Sequence, residues 1–460
     1  MDVKTFVLII SAIVCSVNSI SYENYKLYKV VPNNVNEVNI LKYIRDNGIA
    51  MFWIDYIDIN SDVRIMVAPE QHEEFLHHLT REGVQFTLAF DNLQKIINEQ
   101  NSHHDPKSGN TFHGLSWDVY HNLSDINAWI TTLSEVYSGI VTPVVMGTSV
   151  EGREIRGLKI DFHPDRPRDI AVIQGALHAR EWITTATVTW IVKEFLTSTD
   201  PDVRAMAEDL EWHIFPIVNP DGYLYTFSTD RMWRKNRSPA SFKPCSGNIA
   251  DDISNGVDLN RNFDFVWMSA GASNDSCTQL YAGPSPASEP ETQAIVSYML
   301  ELDRQGNIIY FLDFHSYSQL IVVPYSHVSG HDIILADNYG DMFEIAARGA
   351  DKLAQRYGTS YRVGVAADVL YVMSGTTFDW VKNNTNTKIS YLLELRDLGE
   401  YGFLLPSSQI IPNCQETMDA LIEMDKTTRI LGYYRSYSEL AVLYSPYLLL
   451  LGVILNLLSK

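Results

Sequence analysis

The chain has little basic charge. Lysine and arginine number 35 against 56 aspartates and glutamates in 460 residues, a formal net charge of −21. A nucleic-acid partner is therefore not expected, because holding a phosphate backbone needs clustered cations. The charge suits a soluble protein kept apart from its neighbours by its own field. Cysteine is scarce too: Cys15, Cys245, Cys277 and Cys414 are the whole complement. A small scaffold stapled by many disulfides is excluded. No internal repeat is visible, which excludes a solenoid. What is plentiful is apolar surface, 46% of residues, enough for a sizeable core. The length exceeds one ordinary domain, so two or more folded units are expected.

Both ends are unlike the middle. Met1–Ser19 reads as a secretory signal: Lys4 supplies the positive start, FVLIISAIVCSV is too short to span a bilayer, and Val17 and Ser19 are small residues suited to cleavage. The expected location is secreted or extracellular. Cys15 leaves with the signal, and three pairings of the remaining cysteines stay open. The Ser/Gly/Asn-rich surroundings of Cys245 and Cys277 favour that disulfide, leaving Cys414 as an unpaired packing thiol. Asn122, Asn236, Asn274 and Asn383 head glycosylation sequons. At the other end, Leu440 to Ser459 carries no charge and contains LLLLGVILNLL. Residues 437–460 thus read as a lipid-anchor signal, with a retained membrane anchor and a docked terminal helix as the other readings.

Residues 20–100 alternate strand, helix, strand, strand, helix, strand. KLYKVV, MFWIDYIDI, VRIMVA and VQFTLAF read as strands, VNILKYIRDN and EQHEEFLHHLTREG as helices, and LQKIINEQ as a short connecting helix. His77 and His78 are adjacent and point apart on a helix, so a solvated face is expected there rather than a metal site. Residues 101–114 read as a linker in which Lys107 is a plausible tryptic cleavage point. Residues 115–436 carry a larger pattern: EIRGLKIDF, DIAVIQGAL, WHIFPIVN, NIIYFLDFHS and KISYLLEL as strands, separated by helical segments. In one of these, SEPETQAIVSYMLELD, Ser288 and Glu291 form a capping box around Pro290. The fold class expected is α/β: a mixed, largely parallel central sheet with helices on both faces, preceded by a small antiparallel α/β unit of ferredoxin-like kind.

The chemistry starts at GALHAREW, Gly175 to Trp182, where an apolar strand gives way to a turn. A histidine and a carboxylate three apart there, His178 and Glu181, can share a metal ion. FLDFHSYSQL puts His315 just past another apolar strand, and ligand sites of open α/β sheets lie at the carboxyl ends of strands. Two histidines, a glutamate and a position left for water make a catalytic zinc set. HAREW, NPDGY, WRKNR, GVDLNRNF, SEPE, HSYSQL and ELRDLGEYGFLLP then occur in that order. Together they resemble the zinc metallocarboxypeptidases of the pancreatic A/B type, over about residues 115–434, and residues 21 to about 100 resemble that family's inhibitory pro-segment.

The resemblance implies one zinc ion held by His178, Glu181 and His315, with Glu394 as general base and Arg234 stabilising the developing oxyanion. It implies substrate contacts from Arg180, Asn260, Arg261, Ser316, Tyr317 and Tyr371. Asp258 would orient a zinc-bound histidine from behind. Phe378, in SGTTFDW, occupies the place where B-type enzymes carry an acid, so an apolar pocket floor and release of apolar or aromatic C-terminal residues are expected. A B-type preference for Lys or Arg, and a non-catalytic peptide-binding relative, are the alternatives. The implied partners are peptide and protein C-termini, the chain's own pro-segment as inhibitor, an activating protease of trypsin type, and a membrane through the tail. Three features depart from the family: one extra residue between Trp380 and Glu394, a linker without arginine, and the hydrophobic tail.

Overall fold

The computed structural model describes residues 19–54, 56–100, 111–239, 245 and 255–434. The expected signal before Ser19, the linker with Lys107, and the apolar tail lie outside these residues. Among the described residues, no helix is long and apolar enough to cross a membrane.

The N-terminal unit is a four-stranded antiparallel sheet of β1 (Lys26–Val30), β2 (Met51–Phe52), β3 (Val63–Val67) and β4 (Phe86–Phe90), in the order β2-β3-β1-β4. Helices Val35–Asp46 and His72–Arg81 bury Leu41, Ile44, Phe75 and Leu79 against it. MFWIDYIDI was expected to form a long strand, but only Met51–Phe52 pairs. The Trp53 amide still donates to the Arg64 carbonyl at 3.0 Å, while its side chain is buried against Tyr317 and Phe403 of the larger unit.

The larger unit is built on β5 (Val141–Thr148), β6 (Glu154–Ile160), β7 (Asp169–Gln174), β8 (Leu210–Phe215), β9 (Ile308–Ser316), β10 (Leu320–Val323), β11 (Arg362–Val365) and β12 (Ile389–Leu395). Their order is β11-β10-β12-β9-β7-β8-β6-β5. The centre, β12-β9-β7-β8, is parallel; β6 and β5 extend it antiparallel, and β10 joins antiparallel to β12 and parallel to β11. Every residue of β7 and β9 is buried, as a parallel sheet covered on both faces requires. Alternation divides them: Ala171 and Ile173 face a core with helices Trp182–Thr197 and Ile410–Ile430, while Ile170 and Val172 face helix Pro290–Gln305. The strands without a clear sequence signal are β5, β10 and β11. β5 is an edge strand containing Pro143, and the other two have four residues each.

Two local readings fail. Ser288 does not cap helix Pro290–Gln305; its hydroxyl donates to Glu289 Oε1 at 2.7 Å, and Glu291 accepts from the Val150 amide at 3.0 Å. Both side chains are recruited by neighbouring loops instead. Asn236 is not an accessible sequon: its side chain is fully buried and donates to Glu289 and Glu291 at 2.7 and 3.0 Å.

Cys245 and Cys277 form a disulfide across 32 residues, and Cys414 is free and buried. Closing a loop of that length restricts the unfolded chain by about 3–4 kcal/mol. Replacing both cysteines by serine should lower the thermal midpoint by several degrees in a calorimetric scan; an unchanged midpoint would show that the loop adds no stability.

Candidate active site

The site is built where the central parallel strands end. β7 stops at Gln174, and the chain turns through His178 before helix Trp182–Thr197 begins directly after Glu181. The turn is tied from both sides: Thr184 Oγ1 accepts from the Ala176 amide at 2.9 Å, and the Ala179 amide donates to the Arg234 carbonyl at 3.0 Å. His315 is the penultimate residue of β9, and parallel pairing sets Glu394 of β12 directly beside it.

His178, Glu181 and His315 meet there, all buried, with a ligand atom from each lying within 4.8 Å of the others. His178 Nδ1 is 2.8 Å from Glu181 Oε1, and His315 Nδ1 is 3.1 Å from both His178 Nδ1 and Glu181 Oε2. Two ring nitrogens and the Glu181 carboxylate oxygens converge on one point, a donor set that a single cation can share. The far nitrogens face carboxylates: His178 Nε2 is 3.1 Å from Asp258 Oδ1, and His315 Nε2 is 3.3 Å from Asp313 Oδ1. Each carboxylate fixes its ring's orientation, the usual arrangement behind metal-binding imidazoles. The donor set therefore fits one divalent ion such as zinc.

Asp313 carries no role in the sequence reading. Its position could have been found: it lies two residues before His315 on one strand and so shares its face. Register places it opposite Gln174, whose Nε2 donates to it at 2.9 Å.

Charge is arranged around the triad. Burial alone would raise the Glu181 carboxyl, but His178 and His315 hold it below the usual range. Burial also acts against Asp258, and there Arg234, Arg261 and His178 keep it well below. Arg234 clamps Asp258 through Nη2 and Nε at 2.9 and 3.2 Å. At Glu394 the balance goes the other way, and the pull of His315 and Arg234 is outweighed. Burial first, and the Glu181 carboxylate second, push it up to about 8. Among the described residues, its Oε2, the Ser316 hydroxyl and the Gln279 amide oxygen have no hydrogen-bond partner, although all three residues line the cleft.

Farther along the cleft, Arg261 is 1% exposed and held by three bonds: Nε to the Gly271 carbonyl at 2.8 Å, Nη1 to the Asn260 carbonyl at 2.6 Å and Nη2 to the Tyr371 hydroxyl at 3.2 Å. Asn260 Oδ1 accepts from the Thr377 amide at 2.9 Å. Gly375 makes this junction possible: at φ +69°, a Cβ there would sit 2.2 Å from the Arg261 carbonyl oxygen. Tyr371 lies in irregular chain after helix Ala366–Val369, not in a strand. Arg180 and Tyr317 line the opposite part with Phe403.

Of the expected substrate-binding residues, Phe378 is the one that is not among those lining the cleft. It is fully buried in the core beside Val381 and Leu392. Helix Thr377–Asn384 begins one residue earlier and turns its side chain inward against the sheet. The apolar lining comes instead from Leu280, Leu370, Met373 and Leu392.

A buried His/Glu/His triad at the carboxyl ends of parallel strands, next to an unpaired glutamate, defines a metal-dependent hydrolase site. Comparison with known proteins narrows the class. Residues 126–420 match the zinc carboxypeptidase family, and residues 28–100 match the carboxypeptidase activation peptide. Zinc carboxypeptidase A 1 of Anopheles gambiae is 35% identical over 416 residues, covering 90% of this chain and 92% of that one. A zinc carboxypeptidase of Simulium vittatum is 43% identical over 318 residues, covering 69% and 99%. The crystal structure of carboxypeptidase A from Helicoverpa armigera superposes with a TM-score of 0.77 at 26% identity, covering 90% of this chain and all of that one. The chain belongs to the zinc carboxypeptidase family and carries an activation peptide ahead of the enzyme, as a zymogen does.

Asp313→Asn should weaken zinc binding by about 10–100-fold, as loss of such outer carboxylates does elsewhere. Competition with a chromophoric chelator measures this; an affinity within twofold of the parent would show that Asp313 does not support His315.

Proposed function

We propose that the protein is a secreted metallocarboxypeptidase that releases apolar or aromatic residues from the C-termini of peptides and proteins. Residues 1–19 leave as a signal. Residues 20–100 cover the cleft until a trypsin-type protease cuts the 101–114 linker, with Lys107 as the cleavage point. Residues 115–436 are then the active enzyme, and the apolar segment 437–460 serves as a lipid-anchor signal that tethers it to the outer cell surface.

The observation that carries the reading is the company Glu394 keeps. An unpaired carboxylate oxygen stands beside a triad shaped for one cation, in a cleft that also holds a rigid buried arginine. His178, Glu181 and His315 would hold one zinc ion, which would lower the pKa of a bound water toward about 7 and polarise a carbonyl. Glu394 Oε2 is placed to accept a water proton as the water oxygen adds to the carbonyl carbon, and to return it to the amine nitrogen as the C–N bond breaks. Arg234, braced on Asp258, faces the oxygen on which negative charge develops and stabilises it from a fixed position. Arg261 and Asn260 hold the substrate's terminal carboxylate; the guanidinium offers a fork already set in place, so little entropy is lost on binding. Tyr371 closes beside it, and Arg180, Ser316 and Tyr317 contact the chain upstream.

Specificity follows from the lining. Among the described residues, the lining with Leu280, Leu370, Met373 and Leu392 offers a lysine or arginine head group no carboxylate besides Glu181 and Glu394 at the metal end. An unpaired buried charge costs several kcal/mol, so A-type selectivity is favoured over B-type. Phe378 acts from behind, by supporting Leu392.

A panel of otherwise identical peptides ending in Phe, Leu, Lys and Glu tests this on the linker-cleaved protein. Phe and Leu should be released at least tenfold faster than Lys or Glu; faster release of Lys overturns the apolar assignment. Glu394→Gln should lower kcat by about 10²–10⁴-fold with one zinc per chain retained. Activity within tenfold of the parent would remove Glu394 from the reaction.

A further inference from the structure

Four asparagines head sequons, and the fold treats them differently. Asn236 is buried and gives its amide to Glu289 and Glu291. Asn122 is half-buried, and its Oδ1 caps helix Leu123–Val136 by accepting from the Asp125 amide at 3.0 Å. Asn383 is exposed, but it lies near the start of β12. There the Asn386 amide donates to Asp303 Oδ1 at 2.8 Å, and the Lys388 amide to the Ile308 carbonyl at 3.0 Å. That is the opposite end of the strands from the site.

Asn274 is exposed, and among the described residues its side chain makes no hydrogen bond. The loop that carries it is held on every side. The Ser273 amide donates to the Leu280 carbonyl at 2.9 Å, and the Ser273 carbonyl accepts from the Ala282 amide at 2.9 Å. The Ser273 hydroxyl accepts from the Asp275 amide at 3.0 Å, and Lys235 Nζ donates to the Ser276 carbonyl at 2.7 Å. The disulfide from Cys277 to Cys245 ties the far side. The same loop walls the cleft: Gln279 and Leu280 line it, and the Gly271 carbonyl receives Arg261 Nε at 2.8 Å. Asn274 therefore stands on the outside of a fixed wall, next to the pairing of Ser273 with Leu280.

We infer that Asn274 carries an N-linked oligosaccharide, and that this sugar narrows the mouth of the cleft, so that peptides and flexible C-terminal tails enter while C-termini close to a folded surface do not. The inference rests on the secreted-carboxypeptidase reading above and adds a filter on substrate size. The donor is an oligosaccharide carried on a polyisoprenyl diphosphate in the secretory compartment. Asn274 Nδ2 bonds to the anomeric carbon as the bond from that carbon to the diphosphate oxygen breaks. The diphosphate leaves with the electron pair, and Nδ2 gives up one proton. The product is bulky and hydrated, and its fixed stem keeps it beside the cleft. It acts by a clash with one class of substrate rather than by a contact with another. Asn236, its amide spent on two buried carboxylates, stays unmodified.

The test uses the full chain secreted by eukaryotic cells. Peptide mapping after peptide-N-glycosidase digestion in heavy-oxygen water should show labelled aspartate at position 274 and unchanged Asn236. The linker-cleaved parent, Asn274→Gln and Ser276→Ala are then given a peptide ending in Phe and a folded protein whose last helix runs directly into the same ending. Both variants should keep kcat/KM on the peptide within about twofold of the parent and raise it on the folded protein about fivefold. Asn383→Gln should leave both values within about twofold. A secreted chain unmodified at Asn274 would overturn the inference, as would an unchanged rate on the folded protein in both sequon variants, or the gain appearing in Asn383→Gln instead. A parent chain that never reaches the medium would overturn the secretion on which the inference rests. A secreted chain that releases no Phe from the peptide would overturn the carboxypeptidase reading, and the substrate filter with it.

Discussion

His178 Nδ1 and His315 Nδ1 face one another at 3.1 Å inside a site from which water is largely excluded. The far nitrogen of each ring is engaged by a carboxylate, Asp258 or Asp313, so neutral rings that donate there turn both Nδ1 lone pairs to one point. The surrounding structure holds the rings in that position, and most of its features are ways of doing so. Parallel pairing brings the ends of β7, β9 and β12 level, so that His315 and Glu394 are neighbours and Asp313 meets Gln174. The turn after β7 is tied to the helix that follows it and to the Arg234 segment. A cation at that point is shared by both facing nitrogens.

The same low dielectric makes every charge nearby consequential. Asp258 is the hub: it receives His178, Arg234 and the Asn260 amide together. One buried carboxylate thus fixes the His178 ring, the Arg234 guanidinium and the start of the segment bearing Arg261. Such a group is tolerated because each of its lone pairs is used. Glu394 is the contrast. It has no cationic partner of its own, and its free oxygen is what a proton carrier needs. Two carboxylates in one site have been given opposite environments, and opposite tasks follow from that.

The N-terminal unit depends on the cleft as much as it covers it. Its β2 is cut short because Trp53 finds a better-packed environment against Tyr317 and Phe403 than an exposed edge would offer. Gln100, at the end of the same unit, is buried against Arg231 and the Phe403 carbonyl. The activation peptide is therefore packed against side chains that also line the cleft, Arg180, Tyr317 and Phe403.

Much of this was legible in the residues. DIAVIQ and NIIYFLDFHS are apolar throughout, which is the mark of a strand buried on both faces, and the metal-binding pair follows where such a strand must end. The motif set identifies the family because each piece is a short, local constraint. Other features were not legible. β5, β10 and β11 are short or lie at edges, and their pairing is decided by neighbours distant in sequence. Ser288 and Asn236 carry local signals that tertiary partners override, since a buried carboxylate nearby outcompetes a helix cap or a glycan. Phe378 matches a pocket position by alignment, but the turn of its helix directs the ring into the core and leaves the lining to Leu280, Leu370, Met373 and Leu392. Sequence alone determined which chemical groups are available and roughly where strands deliver them. Only the folded chain decided which groups meet, because register, side-chain direction and competition among buried partners are properties of contacts and not of spacing.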